Sequence, residues 1–205
     1  VFNTPSRITL RIAQLTMSLM LAMARNIAPA YQSLVEGRWD RGKFMGAQLA
    51  DKTLGVIGLG RIGQAVAARA KAFDMKILGY DPFMSSERAA QFGIENVGAL
   101  TDETRNLISE AEIEMMRPGA RLVNCARGGI YDEAALVAGL KSGKLAGVAL
   151  DVYPEEPCTD NPLFGMPGVV CTPHLGASTS EAQTNVAVEG AHLLVDFLTT
   201  GAIKH

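Results

Sequence analysis

A glycine-rich segment constrains the fold of this chain more than any other feature. Gly58-Leu59-Gly60-Arg61-Ile62-Gly63 follows a short apolar run at 53–58 and opens a helical pattern at 61–73. In a strand–turn–helix unit with this spacing, the first glycine allows a tight turn and the second allows a ligand to approach the backbone. The third glycine lets the helix pack closely on the strand. The chain is therefore predicted to contain a strand that leads directly into a helix.

An acidic residue follows at the distance expected of a dinucleotide site. Asp81 ends a second apolar run, at 76–81, and lies 18 residues after Gly63. Free N–H groups at a helix N-terminus attract a pyrophosphate. A carboxylate at position 81 can bind the adenosine ribose hydroxyls and would repel a 2′-phosphate, which favours NAD over NADP. The alternatives are a purely structural glycine turn and, for Asp81, a turn residue before Pro82.

The remaining sequence alternates short apolar runs with helical patterns. Strands are predicted at 121–125, 145–152 and 169–172, and helices at 7–25, 86–92, 109–118, 132–141 and 178–200. This alternation indicates an α/β fold with a doubly wound parallel sheet. We predict one dinucleotide-binding domain over 1–205, with an N-terminal helical segment 1–50 and a C-terminal helix 178–200 that pack on it or on a partner. Helix 7–25 is apolar on two sides, which favours burial in its own domain or a subunit contact.

Composition excludes several classes of protein. The 205 residues are 48% hydrophobic with a net charge of −2, so neither overall disorder nor binding to nucleic acid or to a membrane surface is expected. No apolar run approaches the ~20 residues that span a bilayer. The three cysteines show no zinc spacing, so we predict no metal and reduced thiols in the cytoplasm.

Two further segments carry candidate catalytic side chains. Arg127 lies in Asn124-Cys125-Ala126-Arg127-Gly128-Gly129, at the carboxyl end of a predicted strand, and its planar guanidinium matches a carboxylate. His174 also follows a predicted strand. A histidine held by a carboxylate can exchange a proton with an alcohol. A surface arginine beside a turn and a structural loop histidine are the alternatives.

Five segments together resemble the D-isomer-specific 2-hydroxyacid dehydrogenases, in the family's order and over most of the chain. They are LGVIGLGRIG (54–63), GYDP (79–82), NCARGGIYDE (124–133), LDVYPEEP (150–157) and TPHLGAST (172–179). The resemblance implies a Rossmann NAD-binding domain from a homodimer or homotetramer that acts on a small 2-hydroxy acid. The best-matching reaction is oxidation of 3-phospho-D-glycerate to 3-phosphohydroxypyruvate in serine biosynthesis. Another 2-hydroxy acid, of the glycerate or glyoxylate type, and a non-catalytic NAD-binding corepressor are the alternatives.

The resemblance also implies roles for individual residues. Arg127 would bind the substrate, His174 would be the catalytic histidine, and Glu156 would pair with it. Asp151 would lie near the nicotinamide amide. The implied cofactor-binding residues are Gly58, Gly60, Arg61, Ile62, Gly63, Asp81, Cys125, Ala126 and Asp151.

The sequence departs from the family in three places. The resemblance leads us to expect that the family's N-terminal substrate-binding half is not part of this sequence. The start of the first helix, residues 5–8, and its Arg11 and Gln14 are unusual. After Val97, roughly 15 residues are missing, which in the family's strand order form the fourth, central strand.

Loss of a central strand leaves two neighbouring strands with unpaired N–H and C=O groups, so such a chain should fold poorly unless the sheet is repaired. Two explanations compete: residues omitted from the sequence, and a true deletion. A Cα–Cα separation across Val97–Gly98 well above ~3.8 Å would indicate the omission.

Overall fold

The computed structural model describes residues 5–81, 86–96, 107–179 and 199. Strands and helices alternate along these residues, as the sequence predicts. The helices are α1 (Pro5–Ala24), α2 (Ile27–Val35), α3 (Arg61–Lys71), α4 (Ser86–Gln91), α5 (Glu110–Met115) and α6 (Glu133–Lys141). The strands are β1 (Thr53–Ile57), β2 (Lys76–Tyr80), β3 (Glu95–Asn96), β4 (Ala120–Asn124), β5 (Leu145–Leu150) and β6 (Val169–Cys171). The α/β class with parallel strands is confirmed.

The strands form two separate three-stranded sheets among the described residues, with the orders β1-β2-β3 and β4-β5-β6. All four pairings are parallel. No strand pairing in the described ranges joins β1 to β4. This break lies where the sequence predicts a missing central strand. The Val97–Gly98 junction itself lies outside the described residues.

Helix α1 packs against both sheets. Met17 belongs to the hydrophobic cluster of the first sheet, together with Ala67 of α3. Leu19 and Met23, on another side of α1, belong to a cluster with Ala149 of β5. The two sides of this helix therefore contact different hydrophobic clusters, one in each sheet.

The structure differs from the sequence interpretation in two elements. Residues 27–35 form a helix, although Pro29 and Gly37 suggested an irregular segment. Proline is compatible with the first turn of a helix, where the N–H has no partner inside the helix, and Gly37, with φ +76°, follows the end of α2. The short strand β3 also had no sequence signal.

Capping explains two of the remaining helix boundaries. Ser109 and Glu112, three residues apart, form a capping box at the start of α5, which lies within the predicted helix 109–118. Asp132 accepts hydrogen bonds from the backbone N–H groups of Ala134 and Ala135 and so begins α6. The predicted C-terminal helix, 178–200, lies almost entirely outside the described residues. Among the helices that are described, none combines the length and hydrophobicity that crossing a membrane requires.

Candidate active site

The glycine turn after β1 has the geometry that its sequence predicts. Gly58 has φ +87°, and its N–H donates to the carbonyl oxygen of Tyr80 at 2.7 Å. A Cβ atom on Gly63 would lie 1.9 Å from the Gly58 carbonyl oxygen, whereas a Cβ on Gly60 would meet nothing within 4 Å. The turn is therefore tightly packed at the Gly63 Cα and leaves open space at the Gly60 Cα. That open space at a helix N-terminus fits a pyrophosphate.

Asp81 is tied directly to this turn. Its Oδ2 accepts a hydrogen bond from the backbone N–H of Leu59 at 2.8 Å. The Leu59 side chain is fully buried, which fixes the N–H that holds the carboxylate. The residues at the carboxyl ends of β1 and β2 thus fit a dinucleotide. The Asp81 carboxylate, which would bind the ribose, lies beside the glycine turn, which would bind the phosphates. Arg61 and Ile62, also predicted to contact the cofactor, form the first turn of α3.

A buried asparagine shapes the loop after β4. The Asn124 side chain donates to the carbonyl oxygen of Arg127 at 2.8 Å and accepts from the N–H of Ala126 at 3.0 Å. A Cβ on Gly128 would lie 1.8 Å from the carbonyl oxygen of Tyr153, so only glycine fits there. The loop is held from both sides, while the Arg127 guanidinium remains exposed to solvent.

Asp151 anchors the loop that carries the candidate histidine. Its side chain is 1% exposed. It accepts hydrogen bonds from the Thr172 hydroxyl at 2.6 Å, the Leu175 N–H at 2.7 Å and the Gly176 N–H at 2.9 Å. These three donors satisfy a carboxylate that would otherwise be costly to bury. Its predicted position near the nicotinamide stays a prediction.

Glu156 and His174 form a hydrogen-bonded pair. Glu156 Oε2 lies 2.6 Å from His174 Nδ1, and Oε1 accepts from the N–H of Tyr153 at 3.0 Å. The Tyr153 hydroxyl donates to the Thr172 carbonyl oxygen at 3.0 Å, which ties the two loops together. Because Nδ1 faces the carboxylate, Nε2 is the ring nitrogen left to meet a substrate.

The three predicted catalytic side chains share one cleft. Its volume is about 320 Å³. It is lined by Arg127, Gly128, Val152, Tyr153, Pro154, Glu156 and His174. Sequence spacing alone placed Arg127 and His174 at the carboxyl ends of separate strands, and the sheet brings them together. The contributions of Asn124 and Tyr153 were missed, although both residues lie inside motifs that were singled out.

The predicted cofactor residues Cys125 and Ala126 occupy the loop that Asn124 holds. Burial raises the pKa of the Cys125 thiol to about 11, so the thiol is neutral at physiological pH. The described residues contain no group of histidine, cysteine, aspartate or glutamate side chains that could hold a metal ion.

Two hydrogen bonds lower the pKa of Glu156 below its ordinary value of 4.5. The bond with His174 has the largest effect, and the bond from the Tyr153 N–H has the next largest. We expect its carboxyl carbon to titrate below pH 4.5 in ¹³C NMR, and His174→Ala to move the midpoint back toward that value. Because the pKa of Glu156 is lower in the folded than in the unfolded protein, its ionised form stabilises the folded state above the unfolded-state pKa. That contribution to the free energy of unfolding is lost as the pH falls through the folded-state pKa. An unchanged midpoint in His174→Ala would show that the pair does not form in solution.

Comparison with known proteins identifies a family whose model matches most of this chain. The family model described as "D-isomer specific 2-hydroxyacid dehydrogenase, NAD binding domain" matches residues 17–99 and 94–176. The match is divided in two at the position where the sequence predicts missing residues.

Two curated relatives are both named D-3-phosphoglycerate dehydrogenase. The protein from Methanocaldococcus jannaschii is 50% identical over 199 residues, covering 89% of this chain and 38% of the relative. The protein from Rattus norvegicus is 46% identical over 213 residues, covering 97% of this chain and 40% of the relative. This second alignment is longer than the 205-residue chain itself, so the relative contains residues that this chain lacks. The chain spans about two fifths of the length of these relatives.

A solved structure resembles the chain across both sheets. A crystal structure of a glyoxylate reductase from Paecilomyes thermophila matches with a TM-score of 0.87 and 32% identity, over 98% of this chain and 66% of that chain. The two sheets therefore keep a relative placement that also occurs in a longer protein.

Proposed function

The chain belongs to the D-isomer-specific 2-hydroxyacid dehydrogenase family and carries its NAD-binding domain, and from this we propose that the complete protein oxidises 3-phospho-D-glycerate to 3-phosphohydroxypyruvate. Here the complete protein means this chain with any sequence that adjoins it. The observation that supports the proposal most strongly is the cleft shared by Arg127, Glu156 and His174. The name of the two curated relatives supports the choice of substrate. The reaction would open a route to serine.

The residues of the first sheet would hold NAD. The turn at Gly58 to Gly63 offers backbone N–H groups to the pyrophosphate, and Asp81 offers its carboxylate to the ribose hydroxyls. Bound NAD supplies the two-electron oxidant of the reaction. The loop at Cys125 and Ala126 follows β4, at the same edge of the fold, and we assign it to the nicotinamide side of the cofactor.

The residues of the second sheet would bind and deprotonate the substrate. Arg127 presents a planar fork of N–H donors to the substrate carboxylate and thereby orients its C2 hydroxyl. His174 Nε2 accepts the hydroxyl proton as C2 is oxidised, and returns a proton in the reverse reaction. Glu156, with Oε2 at 2.6 Å from Nδ1, holds the imidazole in one orientation. Asp151 is a positioning residue that fixes the loop of His174.

The binding role of Arg127 gives a direct test. We expect Arg127→Ala in the complete protein to raise KM for 3-phospho-D-glycerate by ~10–100-fold, since a hydrogen bond to a charged group contributes ~1.5–3 kcal/mol. Arg127→Lys should recover only part of this loss, because lysine cannot bind the carboxylate with two parallel donors. Steady-state kinetics with NAD measures both. An unchanged KM in Arg127→Ala would contradict the assignment.

The same assay should include glycerate, glyoxylate and hydroxypyruvate. Preference for one of these would favour a different 2-hydroxy acid, a possibility that the match to a glyoxylate reductase keeps open. A complete protein that binds NAD and oxidises or reduces nothing in the panel would support a non-catalytic NAD-binding module instead.

We further propose a homodimer, or a homotetramer built from it, in the cytoplasm. Helix α2 exposes an apolar stripe of Ile27, Tyr31, Leu34 and Val35, each at least 55% exposed, and Trp39 beyond it is 83% exposed. A contiguous apolar surface of this kind is typical of a subunit interface. All three cysteines are free thiols, as is usual in the cytoplasm.

The apolar stripe on α2 predicts how a single charged substitution changes the oligomeric state. We expect light scattering at micromolar concentration to give a dimer or tetramer for the wild type and a smaller species for Leu34→Asp, because the charge would be desolvated in the interface. Met115→Asp is the matched control, since Met115 is also exposed but lies on α5, and it should leave the mass unchanged. A monomeric wild type would refute the interface.

A further inference from the structure

One tyrosine contacts the segments of all three candidate catalytic side chains. The backbone carbonyl oxygen of Tyr153 occupies the space that a Cβ on Gly128 would need, in the arginine loop. The backbone N–H of Tyr153 donates to Glu156 Oε1 at 3.0 Å. Its hydroxyl donates at 3.0 Å to the carbonyl oxygen of Thr172, which precedes His174 by two residues. This residue therefore joins the three segments that form the cleft.

The packing of the Tyr153 ring fixes its hydroxyl in place. Tyr153 is 6% exposed and belongs to the hydrophobic cluster of the second sheet, together with Val148 and Leu163. Its ring meets the ring of Phe164 edge to face, with the centroids 5.6 Å apart and the planes at 88°. Burial raises the pKa of the Tyr153 hydroxyl above its ordinary value of 10. The hydroxyl therefore stays protonated near neutral pH and is a donor at a fixed position.

The oxygen that accepts this hydroxyl also shapes the backbone at His174. The Thr172 carbonyl oxygen accepts a second hydrogen bond, from the His174 N–H at 3.0 Å. His174 has φ +53°, and a residue with a side chain keeps this left-handed conformation only where surrounding contacts hold it. Asp151 holds the two residues that follow His174, and the Tyr153 hydroxyl holds the chain on the preceding side. The conformation of His174 is thus held from both sides.

We propose that Tyr153 is a positioning residue for proton transfer, whose hydroxyl keeps His174 aligned with Glu156. The inference rests on the proposed function, in which His174 Nε2 accepts the substrate proton. The Tyr153 N–H fixes one oxygen of Glu156, and the hydroxyl fixes the loop that brings Nδ1 to the other oxygen. The arginine loop contacts only the backbone of Tyr153 through Gly128, so loss of the hydroxyl should affect proton transfer and not substrate binding.

Tyr153→Phe in the complete protein tests the proposal, since it removes the hydroxyl and keeps the ring and the backbone. We expect kcat for 3-phospho-D-glycerate to fall ~3–10-fold, the change in an equilibrium that one hydrogen bond produces, because the strained loop of His174 loses one of its contacts. KM and the affinity for NAD should keep their wild-type values. In ¹³C NMR the titration midpoint of the Glu156 carboxyl should rise toward 4.5, because weaker pairing with His174 removes the largest cause of its lowered pKa.

Tyr131→Phe is the matched control for a purely structural effect. Tyr131 packs against the same hydrophobic cluster as Tyr153, and its hydroxyl donates at 2.9 Å to the carbonyl oxygen of Val123 in β4. Each variant loses one hydrogen bond from a tyrosine to a backbone carbonyl, so both should lower Tm to a similar extent. Only Tyr153→Phe should change kcat and the Glu156 midpoint.

The two measurements also separate this inference from the proposed function. A wild-type kcat or a wild-type Glu156 midpoint in Tyr153→Phe would overturn the positioning role, and so would an equal fall of kcat in Tyr131→Phe. Failure of the proposed function would instead appear in the wild-type complete protein, which would not oxidise 3-phospho-D-glycerate. The NMR titration of Glu156 requires no turnover, so it would still decide whether the Tyr153 hydroxyl holds the pair together.

Discussion

Replacing His174 by alanine in the complete protein is expected to lower kcat by ~10²–10⁴-fold, the range for loss of a general acid–base group. The imidazole is bound to Glu156 through Nδ1, so the variant removes the nitrogen that faces the substrate. His174 follows β6 of the second sheet, whereas the glycine turn follows β1 of the first sheet. The affinity for NAD, measured by titration calorimetry, should therefore remain unchanged while turnover falls.

Glu156→Gln is the matched control for this result. Glutamine can keep a hydrogen bond to His174 but carries no charge, so kcat should fall below the wild-type value but less than in His174→Ala. A His174→Ala enzyme that turns over at the wild-type rate would remove His174 from the mechanism, and a wild-type kcat in Glu156→Gln would do the same for the pair.

Gly63→Ala is expected to reduce stability and to abolish measurable NAD binding. The new Cβ would lie 1.9 Å from the Gly58 carbonyl oxygen. Because both groups belong to the backbone, the contact can be relieved only if α3 moves away from β1. Such overpacking costs ~1–3 kcal/mol or more, which thermal unfolding monitored by circular dichroism measures as a lower Tm.

Gly60→Ala separates the stability of the turn from its binding role. A Cβ on Gly60 meets nothing within 4 Å, and its backbone conformation, φ −65°, suits an alanine. Stability should thus be nearly unchanged, while the methyl group occupies the space that the pyrophosphate needs. If Gly63→Ala were as stable as the wild type, the close packing of α3 on β1 would be disproved. If Gly60→Ala bound NAD normally, the pyrophosphate would lie elsewhere.

The elements that sequence predicted well are those with strictly local signals. The strand–turn–helix unit at Gly58 to Gly63 follows from the steric demands of three glycines, and the capping box at Ser109 follows from side chains three residues apart. Helix α2 was missed because Pro29 was taken as a break, although its place in the first turn makes it harmless.

The supporting contacts of the site could not be predicted in the same way. Asp151 binds donors at Thr172, Leu175 and Gly176, more than twenty residues later in the chain. Leu59 holds Asp81 through its backbone N–H, which carries no side-chain signature. Such partners are decided by tertiary packing, so the sequence could indicate the reacting side chains but not what orients them. The break in the sheet was foreseen only because motif spacing, compared with a family pattern, showed that residues were missing.

The position of α1 has a consequence for turnover. The cofactor turn belongs to the first sheet, whereas Arg127, Glu156 and His174 belong to the second. Within the described residues no strand pairing joins these sheets. Helix α1 contacts both, and Val123 of β4 packs against the hydrophobic cluster of the first sheet, so these contacts set the alignment of the cofactor turn with the acid–base pair. Truncating a methionine side chain on α1 would leave the residues of each binding surface unchanged and would still misalign the reacting atoms. Catalysis depends on that alignment more steeply than binding does.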